Sequence, residues 1–129
     1  MGQLILLISI FWVSHANADG FTYDFDLRSF PGQLKKLSLR LKRNGNTVLA
    51  KVHSQSRDGT YLSGSFECQK RSRFEYHCFR NDGGGFFDLT ATHQPKLYFR
   101  FFSMAEEGSV DSAFVKSEKG ATVSGSRRR

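Results

Sequence analysis

His77 and Asp88 are the two side chains in this sequence whose types most directly suggest catalysis. If the chain folds back at Asp82–Gly83, they face each other on the outer side of adjacent strands, and Asp88 also faces Arg100 on the next strand. In a hydrolytic triad, a carboxylate orients an imidazole, and the imidazole activates a nucleophile. The sequence places no serine or cysteine with the pair, because Cys78 points inward. A cross-strand charge ladder is the simpler interpretation, and no catalytic residue is predicted.

The glycine-rich segment Asn81–Gly85 has the composition of a loop that holds phosphate or calcium. Calcium takes six or more oxygen ligands, and this segment offers two acidic or amide side chains. Phosphate-binding glycine loops of the usual kind lead into a helix, whereas the subsequent Phe86–Leu89 has the pattern of a strand. The segment therefore predicts a tight hairpin turn, and neither a metal nor a cofactor is expected.

Basic residues dominate the charge of the chain. There are 19 Lys and Arg against 12 Asp and Glu, which gives a formal net charge of +7. On the outer faces they predict an anionic partner, such as a lipid head group, an acidic glycan or an acidic protein surface. The alternative is a solvated strand face on which Lys and Arg discourage edge pairing. The basic residues assigned to partner binding are Arg40, Lys42, Lys70, Arg71 and Arg73, and Arg127, Arg128 and Arg129 form a basic tail.

Aromatic residues are unusually frequent, with 13 Phe and 4 Tyr. The expected registers align Phe79, Phe86 and Phe102 in a row on the outer face, and Tyr98 points the same way. Exposed apolar clusters usually mark an interface, although another part of the fold could also cover this row. A second set would point inward, where small barrels are either filled or hold one small ligand. A filled core is favoured, and the inward set is Phe66, Phe74, Phe87, Phe99 and Phe101 with Phe21 or Tyr23.

The amino-terminal residues have the pattern of an export signal. An apolar run at residues 4–13 is followed by Ala16-Asn17-Ala18, which places small residues before a cleavage site. This predicts a signal peptide of residues 1–18, cleaved before Asp19, and the run is shorter than the ~18 residues of a transmembrane helix. In a secreted or periplasmic protein, Cys68 and Cys78 are expected to form a disulfide. Export also makes nucleic acid an unexpected partner.

The mature chain alternates apolar and polar residues with a period of two, as in Leu37, Leu39 and Leu41. This pattern indicates half-buried antiparallel strands. Turns at Asn44–Gly45, Arg57–Gly59, Asp82–Gly83 and His93–Pro95 would join them. They place Leu41 opposite Val48, Val52 opposite Gly64, Cys78 opposite Phe87 and Leu89 opposite Phe99. Seven strands are predicted, with a weaker eighth at 110–117: 21–29, 35–43, 47–56, 60–68, 74–80, 85–92 and 96–104.

Consecutive hairpins of this kind predict an all-β fold, an antiparallel up-and-down meander of seven or eight strands. Closure into a small barrel would remove the unpaired edges, and a two-sheet β-sandwich is the alternative. One domain is expected at residues 19–118. The Gly- and Ser-rich residues 119–129, which end in three arginines, are predicted to be a disordered basic tail.

The segment Phe74–Cys78, followed by Asn81–Phe86, resembles a hairpin in small uncharacterised periplasmic proteins of Gram-negative bacteria. This resemblance implies export and a β fold, and no activity. The overall plan also looks like that of periplasmic lysozyme inhibitors. The sequence therefore predicts an exported, non-enzymatic protein that binds an anionic or protein partner through a basic and aromatic surface. The alternatives are a carrier of a small apolar ligand inside the barrel and an inhibitor of a secreted or periplasmic hydrolase.

Overall fold

A computed structural model describes residues 20–105 and 112–129, and these residues form a closed antiparallel β-barrel. Each strand pairs with the next along the chain, and the last strand pairs with the first. The predicted barrel is confirmed, and the β-sandwich alternative is wrong. The predicted signal peptide and its cleavage site lie outside the described residues. The strands are β1 (Thr22–Asp26), β2 (Leu34–Asn44), β3 (Thr47–Ser56), β4 (Tyr61–Lys70), β5 (Glu75–Phe79), β6 (Gly85–Thr90), β7 (Lys96–Ala105) and β8 (Ser112–Arg128).

The hairpin of β2 and β3 turns one residue later than predicted. Asn44 pairs with Thr47, so that Gly45 and Asn46 form the turn, and Leu41 faces Ala50 instead of Val48. Gly45 has a φ of +65°, the conformation that a two-residue hairpin loop with glycine first requires. The predicted register is therefore wrong by two residues. Because two is the period of a strand, the predicted inward and outward faces are unchanged.

The next two hairpins form as the turn residues predict. A three-residue loop at Arg57–Gly59 places Val52 opposite Gly64. The turn at Asp82–Gly83 places Cys78 opposite Phe87. Between these hairpins, Cys68 and Cys78 face each other on β4 and β5, and their sulfurs form the predicted disulfide.

The pairing of β6 with β7 differs from the prediction. The loop at residues 91–95 is longer than expected, so Leu89 faces Leu97 instead of Phe99. A bulge in β7 then lets Gly85 pair with Phe102. The backbones approach closely at this point, because a Cβ atom on Gly85 would lie 2.1 Å from the carbonyl oxygen of Phe101. An added residue in one strand reverses the inward and outward positions beyond it.

The carboxyl-terminal residues are part of the barrel and not a disordered tail. Residues 119–128 belong to β8, in which Ser124 pairs with Lys96 of β7, and Gly125 pairs with Phe25 of β1. The prediction of a domain that ends at residue 118 is therefore wrong. An exposed edge on β1 would leave a row of backbone N–H and C=O groups unpaired, and the end of β8 supplies their partners. Gly125 fits here because a Cβ atom would lie 2.2 Å from the Asp24 carbonyl oxygen.

Phenylalanine side chains fill the centre of the barrel. Phe66, Phe87, Phe99 and Phe102 are all fully buried, and their ring centroids lie 4.9 to 6.1 Å apart in the contacting pairs. Three of these were predicted to point inward. Phe101, which was also expected in the core, is 40% exposed, since the bulge exchanges its position with that of Phe102. Phe21 and Phe74 are half-buried at the end of the barrel.

Candidate functional site

One end of the barrel carries a concentration of cations. In an up-and-down barrel, all odd-numbered strands begin at one end and all even-numbered strands finish there. The β2–β3, β4–β5 and β6–β7 loops therefore meet at this end, together with residue 20 and the carboxyl terminus. We call six basic residues at this end the basic rim: Lys70, Arg71, Arg73, Lys96, Arg127 and Arg129.

No residue of the basic rim forms a salt bridge with another described residue. The carboxylate of Glu75, at the start of β5, instead accepts a hydrogen bond of 2.6 Å from the Ser72 hydroxyl. Arg128 is paired with Asp24 at 2.7 Å and is therefore not counted in the rim. The predicted Lys70, Arg71 and Arg73 lie together at the β4–β5 turn, and β8 places Arg127 and Arg129 at the same end of the barrel beside β1. Sequence reasoning missed Lys96, although its position directly after Pro95 was a signal for a loop end.

Aromatic rings hold several rim cations against the barrel. The Arg73 guanidinium lies 5.2 Å from the centre of the Phe74 ring, and the Lys70 ammonium lies 6.0 Å from that of Tyr76. Arg127 and Arg129 both lie over Phe21, at 4.2 and 5.0 Å. Contacts of this kind contribute roughly 0.5–1 kcal/mol at exposed sites. They order the side chains without neutralising the positive charges, which remain available to an external anion.

At the opposite end of the barrel, internal groups engage three arginines. Arg28 pairs with Asp26 at 2.7 Å and Arg80 pairs with Asp82 at 2.5 Å. Arg57 donates to the carbonyl oxygens of Gly32, Arg28 and Phe30, and thereby fastens the β1–β2 loop. Hydrogen bonds from Arg28 lower the pKa of Asp26 to about 2. These three arginines are therefore less available to an external anion than the six cations of the basic rim.

A second basic group lies on the wall of the barrel below the β2–β3 turn. Arg40 and Lys51 face each other directly across the two strands, and Lys42 lies on the same outer side, two residues further along β2. All three are exposed, as predicted for Arg40 and Lys42. Lys51 was missed, because only the observed register reveals that it faces Arg40.

The predicted outer aromatic row is confirmed at one end and wrong at the other. Phe79 faces Phe86, and the His77 ring lies 6.0 and 5.5 Å from these two rings. Phe102 does not join them, since the β7 bulge turns it into the core and leaves Phe101 outside. Tyr98 is on the outer face as predicted and is 37% exposed.

The structure also confirms the predicted pair of His77 and Asp88. The Nδ1 atom of His77 lies 2.6 Å from an oxygen of Asp88. Arg100 does not extend this pair, because the shifted β6–β7 register places Tyr98 opposite Asp88, and Arg100 donates to the Glu118 carbonyl oxygen. Cys78 is in the disulfide, so the pair has no cysteine nucleophile beside it. Among residues 20–105 and 112–129, no group of His, Cys, Asp and Glu could hold a metal ion.

Comparisons with protein-family models, with curated proteins and with solved structures found no match for this chain. Within the described ranges, no helix is long and apolar enough to cross a membrane. The basic rim, with its unpaired charges, is therefore the candidate functional site of the described residues.

Proposed function

We propose that this protein is an exported, non-enzymatic binding protein that engages an anionic partner through the basic rim. The observation that carries this proposal is the number of unpaired cations at one end of the barrel. The six rim cations have no carboxylate partner among the described residues, whereas Arg28 and Arg80 at the other end are paired with Asp26 and Asp82.

Electrostatics explains why such an arrangement favours binding. Clustered charges of one sign raise the local concentration of an oppositely charged partner and accelerate its association. The net charge of +7 adds a long-range attraction to the same partner. Because salt screens exposed charges over about 10 Å at 0.1 M, binding through the rim weakens steeply as ionic strength rises.

The packed interior argues against the second predicted function, a carrier of a small apolar ligand. Phe66, Phe87, Phe99 and Phe102 occupy the space that a ligand would need. The paired His77 and Asp88 lack a cysteine nucleophile, which supports a non-enzymatic role. Export is supported by the Cys68–Cys78 disulfide, since such bonds persist in oxidising compartments. Inhibition of a secreted or periplasmic hydrolase remains a prediction, and it would require that the anionic partner is a protein.

The rim is tested with immobilised heparin and with poly-glutamate as two polyanions of different chemistry. The rim variant carries Lys70→Gln, Arg71→Gln and Arg73→Gln. A matched control variant carries Lys36→Gln, Lys116→Gln and Lys119→Gln, which removes the same charge from exposed positions away from the rim. At about 1 kcal/mol for each basic residue at an anionic surface, the rim variant should bind about a hundredfold more weakly at low salt.

The control variant should stay within a few-fold of the wild type in the same measurement. Equal losses in both variants would show that net charge alone drives binding, and would refute the role of the rim. Absence of binding to either polyanion at low salt would refute the proposed function.

A further inference from the structure

We infer that the groove beside the β2–β3 turn binds the phosphate or sulfate group of a monoester. This inference rests on the proposed function, because it supplies the chemical class that one site on the anionic partner would present. The groove has a volume of about 440 Å³. We call it the β2–β3 groove, and the residues that line it are Gly20, Arg40, Leu41, Lys42, Arg43 and Lys51.

The like charges of Arg40 and Lys51 need an explanation. Residues directly opposite on antiparallel strands have Cβ atoms about 4.5–5.5 Å apart, and like charges placed there are destabilising. Lys42 and Arg43 add two more cations beside them. A strand face that is merely solvated has no need for cations concentrated in this way, whereas an anion in the groove would turn their repulsion into attraction.

The hydrogen-bond donors of the groove are largely unused. Lys51 gives one hydrogen bond of 3.2 Å to the Ser65 hydroxyl, so its ammonium group has two further hydrogens to donate. The side chains of Arg40, Lys42 and Arg43 make no hydrogen bond or ion pair with any described residue. Two carboxylates lie on the neighbouring strands, and neither faces the opposed cations. Glu67 faces Leu49 and Phe79, and Asp24 faces Ser38 and is paired with Arg128. The groove therefore offers a guanidinium fork and two ammonium groups together.

This donor set fits a phosphate or sulfate better than a carboxylate. The planar guanidinium of Arg40 can donate two parallel hydrogen bonds to two oxygens of one group. The ammonium groups of Lys51 and Lys42 can then take the third terminal oxygen, which a carboxylate lacks. A volume of about 440 Å³ lies in the range of small-molecule sites and leaves room for the esterified part, such as a glycerol or a sugar.

The probes are glycerol 3-phosphate and inorganic phosphate in calorimetric titration, and phosphatidylcholine vesicles with and without phosphatidic acid in co-sedimentation. The groove variant carries Arg40→Gln and Lys51→Gln. Lys116→Gln with Lys119→Gln is a control with the same change in charge, and Arg40→Lys retains the charge but lacks the fork. Loss of two charge-assisted contacts should weaken binding about tenfold or more in the groove variant. The control should bind as the wild type does, with Arg40→Lys intermediate.

The thermal midpoint of the groove variant provides an independent readout of folding. It should equal or exceed that of the wild type, because the substitutions remove a repulsive pair. Groove-dependent binding of glycerol 3-phosphate assigns the ligand to a soluble ester, and groove-dependent binding of the acidic vesicles alone assigns it to a lipid head group. Either result supports the site.

Failure of the inference can be distinguished from failure of the proposed function. No groove-dependent binding of any of these probes, or an equal loss in the control, would overturn the monoester site. The proposed function is tested separately by polyanion binding to the rim variant, in which Arg40 and Lys51 are intact. Retention of glycerol 3-phosphate binding by the rim variant is expected, because the rim residues do not line the β2–β3 groove.

Discussion

The neighbouring residues Phe101 and Phe102 provide a sharp test of the β7 bulge. Without a bulge, the alternation that begins at Leu97 and Phe99 would point Phe101 into the core and Phe102 outward. The structure has the reverse, with Phe101 40% exposed and Phe102 fully buried. Replacing each by alanine in turn therefore compares the same deletion of atoms at adjacent positions.

The two alanine substitutions are expected to lower the free energy of unfolding by amounts that differ by several kcal/mol. The Phe102 ring contacts those of Phe66, Phe87 and Phe99, with centroids 5.7 to 6.1 Å apart. Truncation of a buried phenylalanine costs about 3–5 kcal/mol, since it removes buried area and leaves a cavity. Phe101 keeps one ring contact, with Phe114 at 6.0 Å, so that Phe101→Ala should cost about 1 kcal/mol or less.

Equilibrium unfolding in urea, followed by circular dichroism, measures both variants. For an m-value of about 1–3 kcal/mol/M, Phe102→Ala should lower the midpoint by more than about 1 M, and Phe101→Ala by much less. Phe102→Leu, with an expected cost of about 1.5 kcal/mol or less, covers the case in which Phe102→Ala does not fold. A larger loss for Phe101→Ala than for Phe102→Ala would show that the bulge is absent, and the assignment of inner and outer faces on β7 would be wrong.

Three further predictions concern stability. Deletion of residues 120–129 should abolish cooperative unfolding and cause aggregation in size-exclusion chromatography, because β1 loses its β8 partner and keeps an exposed edge, whereas removal of a disordered tail would leave both unchanged. Cys68→Ser with Cys78→Ser should lower the free energy of unfolding by about 2–3 kcal/mol for a loop this short, and wild type measured under a reductant should lose the same amount. The Ser56 hydroxyl and the Thr60 amide lower the pKa of Asp58 from 3.8 to about 2. Its contribution to stability is therefore present above pH 3.8 and is lost as the pH falls through about 2. The difference in unfolding midpoint between Asp58→Asn and wild type should shrink over that interval, and a constant difference would contradict this account.

Turn residues explain why much of the barrel could be predicted from the sequence. Gly59 and Gly83 both adopt positive φ values, and each fixed the register of its hairpin as expected. A turn displaced by one residue at Gly45 changed the β2–β3 register by two and left every face correct. These predictions depended on the identity of the turn residues, which can be read directly from the sequence.

The β7 bulge and the long β8 could not be predicted in the same way, because they depend on backbone contacts between strands that form only in the closed barrel. Gly85 admits the Phe101 backbone, and Gly125 admits that of Asp24. Both glycines appear in the sequence as ordinary loop or tail residues. Alternation in β8 is also weak, since Ala121 and Val123 are small and half-buried. Three consecutive glycines at 83–85, more than a tight turn at Asp82–Gly83 needs, were the available signal for the bulge.

The same distinction applies to the candidate site. Lys70, Arg71 and Arg73 are close together in the sequence, so their grouping was predicted. The contribution of Arg127 and Arg129 to the same rim depends on closure of the barrel by β8. Lys51 could not be assigned to the β2–β3 groove from the sequence, because its position opposite Arg40 results from a register that Gly45 displaces.

Closure of the barrel by β8 has a consequence for the order of folding. Thr22 pairs with Arg128, so the contact that completes the sheet joins residues more than a hundred positions apart in the sequence. Pairings of such long range make folding slow, since the entropy of a large loop is lost before the contact forms. During synthesis, β1 stays without this neighbour until residues 119–128 have been made, and the sheet can close only once β8 is available.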